Sequence, residues 1–467
     1  MSRVSALRDA DVPAHGVSLR EAFWVWLRVG VLSFGGPAGQ IAVMHRIVVE
    51  EKRWISEARF LHALDYCMLL PGAEAQKLAT YIGLLMHRTI GGVMAGGLFV
   101  VPGAVFLMGL SCLYAAWGKV PIIVALFFGL KSAVLMIVLG SVIRIGRCAL
   151  NNAIMVGLAA VASIATFFFR TPFPLIILAA AAIGIIASMH GLIATQRGTA
   201  AEREGGGIGK TAMTDSLIGD KLPEHARPTV LRALGSSIMC FALLLMPVDV
   251  IVAKFGETNV FSQIAVFFSG ITLVTFGDPY AVIAYVAQTM DSAGVLKPEE
   301  ILDGLGMVET TPAPLIMVFQ YMGFMAAYRH PGALSPMVAG ALGGLLVTWV
   351  TFIPCFVWVF LGAPFIETLR SNKALSAALS AIGAAAVGVV LSLAVWFAIH
   401  TVFRETAPIR AFPFAFDMPQ TSSIDLWALA LSVAAAVAIF WFRVGTIPTL
   451  LGSGAAGMIV FLLGGIS

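Results

Sequence analysis

The stretch SFGGPAG, Ser33–Gly39, ends an apolar run that begins near Phe23. Three glycines and a proline within seven residues interrupt a helix where a membrane crossing would be half complete, because glycine lowers helix propensity and proline removes an amide donor. The chain repeats this device. TFGDPYA, Thr275–Ala281, follows a second apolar run 242 positions later. Irregular backbone is tolerated at membrane depth only where its freed polar groups face protein or a water-filled cavity. The pair of breaks therefore predicts discontinuous helices in a polytopic α-helical membrane protein.

Composition leads to the same class. Of 467 residues, 59% are hydrophobic and only 12% charged, against roughly 25% charged in soluble domains. Windows such as 90–117, 153–169, 173–189, 333–363, 374–399 and 446–467 carry few or no charges, and about 20 apolar residues suffice to cross the hydrocarbon layer. About ten to thirteen membrane segments are expected on that length rule. No run of alternating residues resembles a barrel strand, so the fold is read as all-α. Residues 1–18 form a polar tail without the pattern of a cleaved signal.

Several function classes drop out. The five cysteines stand singly within apolar segments with no CxxC spacing, so neither disulfides nor a metal site are expected. GGGIGKT, at 205–211, resembles a phosphate-binding loop but has Glu204 where its first glycine belongs, and no strand precedes it. HExxH, GxSxG and Cys/His clusters are missing, as are flavin and haem signatures, so an enzyme and a bound cofactor are not expected. The net charge of +4 is spread along loops and does not point to nucleic acid.

The chain divides in two around a polar stretch, 195–228, rich in Gly, Ala and mixed charge. We expect a first repeat at 19–194, the linker at 195–228, a connecting membrane segment at 229–255 and a second repeat at 256–467. Beyond the first breaks, YCMLLPGAEAQKLATYIG (Tyr66–Gly83) is answered by GMVETTPAPLIMVFQYMG (Gly306–Gly323), with Pro71 matching Pro312 and Tyr81 matching Tyr321. A packing kink needs only one Gly or Pro. Two clustered breaks per half, in the same order, fit a transporter with internal repeats better. Between the breaks the first half carries Arg46, Lys52, Arg53 and Arg59, whereas the second carries Lys297 with Asp291, Glu299 and Glu300. Basic loops stay cytoplasmic, which places the two loops on opposite faces and makes the repeats inverted. Trp24, Trp26, Trp54 and Trp117 read as an interfacial belt.

The stretch FGGPAGQIAVMHRIVVEEKRWISEARFLHALDYCMLLPGAEAQKLATYIG, Phe34–Gly83, closely resembles the signature of the chromate ion transporters, and ETTPAPLIM, Glu309–Met317, resembles its companion motif. The resemblance extends over nearly the whole chain, in the long two-domain form. It implies export of chromate from a bacterial cytoplasm through the inner membrane, giving chromate resistance. Sulfate, an isosteric dianion, is implied as competitor or counter-substrate. The second half departs from the first where Gly36 becomes Asp278 and Pro71-Gly72 becomes Pro312-Ala313.

A tetrahedral dianion held within a membrane calls for amides, hydroxyls and one or two cations. Gly35, Gly36 and Gly39, with the Gln40 amide, would present a helix N-terminus to it. Lys131, the only charge between Lys119 and Arg144, either faces a cavity or snorkels to the headgroups. Lys77 shares a helix face with Glu74, and the two either neutralise one another or exchange a proton for the anion. Thr310 and Thr311 offer hydroxyls. Glu74, Asp278 and Glu309 are the candidates for coupling or gating. Membrane potential, proton exchange or both could drive transport, and protons join chromate, sulfate and the lipid bilayer as expected partners. A sulfate or other oxyanion transporter and an anion channel stay open as alternatives, as does a homodimer.

Overall fold

The computed structural model describes residues 16–190, 230–273, 279–363, 373–411 and 414–464. The polar stretch 195–228 and Asp278 lie outside the described residues.

The first half opens with α1 (Leu19–Leu32), α2 (Gly36–His45, continued by a π turn, Arg46–Glu51) and α3 (Glu57–Leu69). Next come α4 (Glu74–Trp117), α5 (Pro121–Ala149), α6 (Ala153–Phe169) and α7 (Phe173–Met189). After α8 (Val230–Phe255) the second half runs through α9 (Val260–Leu273), α10 (Pro279–Ser292), α11 (Pro298–Glu309) and α12 (Val318–Arg329). It ends with α13 (Pro336–Gly362), α14 (Lys373–Val402), a strand pair, α15 (Leu426–Ala436) and α16 (Thr446–Leu462). Among the described residues, five helices are long and apolar enough to cross a membrane, and shorter apolar helices accompany them. The chain is a multi-pass helical membrane protein.

Local sequence accounts for the helix ends. The Ser18, Ser56 and Asn152 side chains accept from the backbone amides of Glu21, Arg59 and Met155, which opens α1, α3 and α6. Prolines in the first turn begin α2, α5, α7, α11 and α13, where no amide is needed.

At 14 residues, α1 reaches only about 21 Å, too short for a crossing. It turns back instead. Lys52, just past α2, bonds Glu21 near the start of α1 at 2.9 Å, and Arg28 meets Glu51 at 2.7 Å. Within the basic segment His45–Arg59, Arg46 also lies 3.6 Å from Glu51, and the imidazole Nε2 of His45 lies 2.6 Å from the Glu57 carboxylate. The second pair, α3 and the first arm of α4, also folds back, since the imidazole of His87 lies 2.9 Å from the carbonyl of Val17. Helix α4 is interrupted at His87 and Arg88, whose φ of 54° and ψ of −151° is a conformation that suits glycine. Its two arms, 74–86 and 89–117, then pack tightly. A Cβ on Gly91 would touch the His87 side chain at 2.6 Å, and one on Gly83 would touch the Ala95 side chain at the same distance.

In the second half Arg329, at the end of α12, bonds the carbonyl of Val295 and the carboxylate of Glu300. Helices α11 and α12 therefore leave from and return to one end. The long helices α4 and α13 run antiparallel, with Gly92 and Gly96 against Phe360 and Phe356, and Gly344 against Met108. Glycines allow this close approach. The short helices of the first half cluster at the Thr89 end of α4, and α11–α12 cluster at the Pro336 end of α13, which lies at the opposite end of the crossing.

The fold is all-α in class as expected, and one short antiparallel strand pair, β1 (Thr406–Ala411) and β2 (Phe414–Pro419), accompanies the helices. This pair docks on the turn after α6. Arg170 donates to the carbonyl of Ala415 at 3.1 Å and faces Asp417 at 3.4 Å, while Phe168 packs against Phe416. One expectation needs correction: the four tryptophans do not form one belt. Trp24 and Trp117 are exposed, but Trp26 and Trp54 are buried and pack 6.3 Å apart, because the hairpin of α1 and α2 closes over them.

Candidate anion pathway

Three of the four helix breaks are described, and they converge where α4 crosses α13. At the first, Gly35 and Gly36 have φ of 89° and 71°. A Cβ on either would meet nothing within 4 Å, so backbone conformation rather than crowding selects glycine there. Gly39 is different. A Cβ on it would lie 2.6 Å from the carbonyl oxygen of Phe34. At the second break Gly72 has φ of 102° and sits against the Cys355 side chain, one residue past Pro354 of α13. The break after α11 mirrors this, with Ala313 seated on Gly103, one residue past Pro102 of α4. Each of these two breaks rests beside the proline of the other half's long helix.

Glutamines bind the crossing together. Gln40 is buried and its amide donates to the carbonyl of Ala313 at 2.9 Å, with the Ser33 carbonyl at 3.5 Å, so it bridges the first break to the one after α11. Gln76 donates to the carbonyl of Phe352 on α13 at 3.4 Å, and Gln320 donates to the carbonyl of Ala104 on α4 at 2.9 Å. The sequence reading missed the latter two. Their signal was available, since polar amides within apolar helices seek partners across a helix interface.

Lys77 is 1% exposed and donates to the Leu70 carbonyl at the second break. Glu74 stands in its field without forming an ion pair with it among the described residues. An ammonium this deep is costly unless hydrogen-bonded and compensated, and the freed carbonyl of the break supplies part of that compensation. Glu309 accepts a hydrogen bond from the buried Tyr280 hydroxyl. Arg144, exposed on α5, lies in the electrostatic surroundings of both Glu74 and Glu309.

The Thr310 hydroxyl donates to the carbonyl of Met307 at 2.8 Å and that of Thr311 to Val308 at 3.0 Å. Both protons are spent on the end of α11, so neither is aimed at a ligand in this conformation. Lys131 neither snorkels nor stands free. Its Nζ lies 3.5 Å from Oδ1 of Asp303, a buried residue of α11, whose Oδ2 accepts from the Tyr114 hydroxyl at 2.8 Å. The Tyr114 ring in turn packs on that of Tyr321 at 5.5 Å. Asp303 went unread in the sequence because it precedes the ETTP motif within ILDGLGMV, where a charge inside an apolar helix was the available clue.

A family model for chromate transporters matches residues 20–185 and 262–458. The chain belongs to the chromate transporter family. It is 27% identical over 473 residues to a chromate transport protein of Pseudomonas aeruginosa, covering 98% of this chain and 97% of that protein. It is also 26% identical to a probable chromate transport protein of Synechococcus elongatus, over 82% of this chain and 86% of that one. A chromate transport protein of Cupriavidus metallidurans is 24% identical over 80% of this chain and 81% of its own length. No solved structure matches. Membership of the family points to a transporter rather than an enzyme.

Proposed function

We propose that this protein is a secondary transporter that exports chromate from the bacterial cytoplasm through the inner membrane and so confers resistance. One observation carries the reading: the break after α11 seats Ala313 on Gly103 and receives Gln40, while the opposed break seats Gly72 on Cys355 and gives Lys77 its carbonyl. Broken helices from both halves thus meet on the long helices α4 and α13 with a buried cation beside them, the kind of arrangement in which transporters hold a charged substrate. The names of the relatives add chromate as substrate.

The units are a first repeat at 19–194, a linker at 195–228, a connecting segment at 229–255 and a second repeat at 256–467. We read the repeats as inverted, supported by short-helix clusters at opposite ends of an antiparallel α4–α13 crossing. The substrate would approach Gly35, Gly36, Gly39 and Gln40 with Lys77 and Lys131, while Thr310 and Thr311 would have to release their backbone partners to take part. Glu74, Glu309 and Asp278 are the coupling candidates. A membrane potential of 100 mV, negative inside, contributes roughly 4.6 kcal/mol to the exit of a dianion, about three decades of gradient. Proton exchange would add to it.

Chromate flux in everted membrane vesicles, with pH gradient and potential imposed separately, tests this. Uptake under an inside-positive potential or an inside-acid gradient is the expected result. Sulfate uptake without chromate uptake would overturn the substrate, and no anion movement at all would overturn the function.

A further inference from the structure

Lys131 and Tyr114 belong to the first half, and Asp303 belongs to the second. An ammonium and a phenolic hydroxyl converge on the two oxygens of one carboxylate, at 3.5 and 2.8 Å. This is also the donor set that recognises an oxyanion, a cation for charge and a hydroxyl for orientation. The pairing is unequal. Oδ2 has its hydrogen bond, whereas Oδ1 is buried and has only the loose ion pair. An ion pair fully committed to holding the halves together would be shorter and saturated.

Few other charges reach the pair. Glu299 adds a negative charge from the same helix as Asp303, Tyr321 packs on Tyr114 from α12, Glu300 is taken by Arg329, and α16 brings no titratable side chain to α11. Asp303 stands seven residues before Thr310, about 10 Å along the helix axis from the break. An anion leaving the break would therefore meet Lys131 within two helical turns.

We propose that Asp303 is an internal counter-anion, occupying on Lys131 and Tyr114 the place that the transported dianion takes when it arrives. With Asp303 seated, the empty site is electrically compensated and the two halves are joined, so the unloaded protein can reorient. With the anion seated, Asp303 is displaced and the join between the halves is released. Asp303 thus sets the difference between net transport, which needs the empty protein to return, and exchange of one anion for another, which does not. The inference rests on the carrier reading above.

Counterflow in everted vesicles separates the possibilities, with radioactive chromate entering against unlabelled chromate inside and net uptake measured in parallel. For Asp303→Asn we expect net uptake to fall at least about tenfold while counterflow persists. If Asp303 is seated for roughly nine-tenths of the time, chromate should also bind the purified protein about tenfold more tightly, since a competing state has been removed. Lys131→Met should lose binding and both fluxes. The double variant Lys131→Met/Asp303→Asn, which removes both charges of this pair, should reach the membrane at wild-type levels yet bind no chromate.

Parallel loss of net uptake and counterflow in Asp303→Asn, with the double variant stable, would reduce the pair to a structural brace and overturn the inference. So would wild-type net uptake in Asp303→Asn, or chromate binding by the double variant. Wild-type vesicles that move no chromate would instead sink the function itself. Wild-type uptake without counterflow would indicate a channel, and the counter-anion would fall with the carrier.

Discussion

Substituting Gly103 by alanine tests whether the crossing of α4 with the break after α11 matters for transport. The new Cβ would lie 2.7 Å from both Cα and Cβ of Ala313 and 2.8 Å from the carbonyl oxygen of Pro312. Ordinary contact begins near 3.5 Å, so break and helix must separate by close to 1 Å. Backbone atoms on the far side cannot rotate away. A shift of that size stretches the 2.9 Å bond from Gln40 to the Ala313 carbonyl beyond hydrogen-bond range. Overpacking of this kind costs about 1–3 kcal/mol, against which alanine recovers roughly 0.5–1 kcal/mol of helix propensity. The balance is a loss of up to about 2.5 kcal/mol, centred near about 1.3 kcal/mol, or roughly tenfold in an equilibrium between competent and displaced states. The control is Gly109→Ala on the same helix, where a Cβ meets nothing within 4 Å and only the propensity gain remains. Everted-vesicle chromate uptake, normalised to protein in the membrane, should fall in Gly103→Ala and stay level in Gly109→Ala. Equal uptake and equal thermal stability for both variants would refute the argument that this contact positions the break.

Three further outcomes follow from the same geometry. Gln40→Leu removes the amide that bridges two breaks and leaves a buried carbonyl unpaired, so thermal stability of the purified protein should drop by about 1–3 kcal/mol with flux falling alongside; unchanged melting would show that the bridge is incidental. Lys77→Met takes away a buried charge held at Leu70, and chromate flux should vanish while the protein keeps its stability, because removing a buried ammonium offsets the lost hydrogen bond. Persisting flux would exclude Lys77 from the pathway. Arg170→Ala frees the β1–β2 pair from the turn after α6 at a local cost of about 1–2 kcal/mol. Amide exchange in 406–419 should quicken while flux is retained, and unaltered exchange would mean that the phenylalanine contacts alone hold the strands.

Legibility in the sequence followed the range of each interaction. SFGGPAG announced a broken helix because glycine and proline act on their own backbone, and Gly35 and Gly36 do adopt the positive φ that such a break needs. The pairing of a second motif at a fixed offset likewise needed no contacts to be seen. Partner choice was hidden. Lys131 could be marked as an expensive charge, but its acid stands 172 positions away on a helix of the other half. The Gln40 amide could be marked as a donor, yet its acceptor at Ala313 lies 273 positions along the chain. Thr310 and Thr311 looked available because nothing in the sequence tells whether a hydroxyl at a helix end will bond its own last carbonyls. The strand pair went unseen because HTVFRETAPIRAFPFAFDMPQ mixes prolines with aromatics, and its phenylalanines acquire their meaning against Phe168 and Phe169 of the first half.

Hydrophobic length, helix-breaking residues and motif resemblance by themselves determined that this chain is a multi-pass helical membrane protein of the chromate transporter family, with breaks in both halves. These are properties of short segments, imposed by a solvent that cannot satisfy a free backbone. Only the tertiary structure decided which carbonyl takes the Lys77 ammonium, which acid faces Lys131, and that one break of each half rests beside the proline of the other. A buried polar group is stable only with a partner at hydrogen-bond distance, and that distance is set by the packing of α4 against α13 rather than by any stretch of sequence.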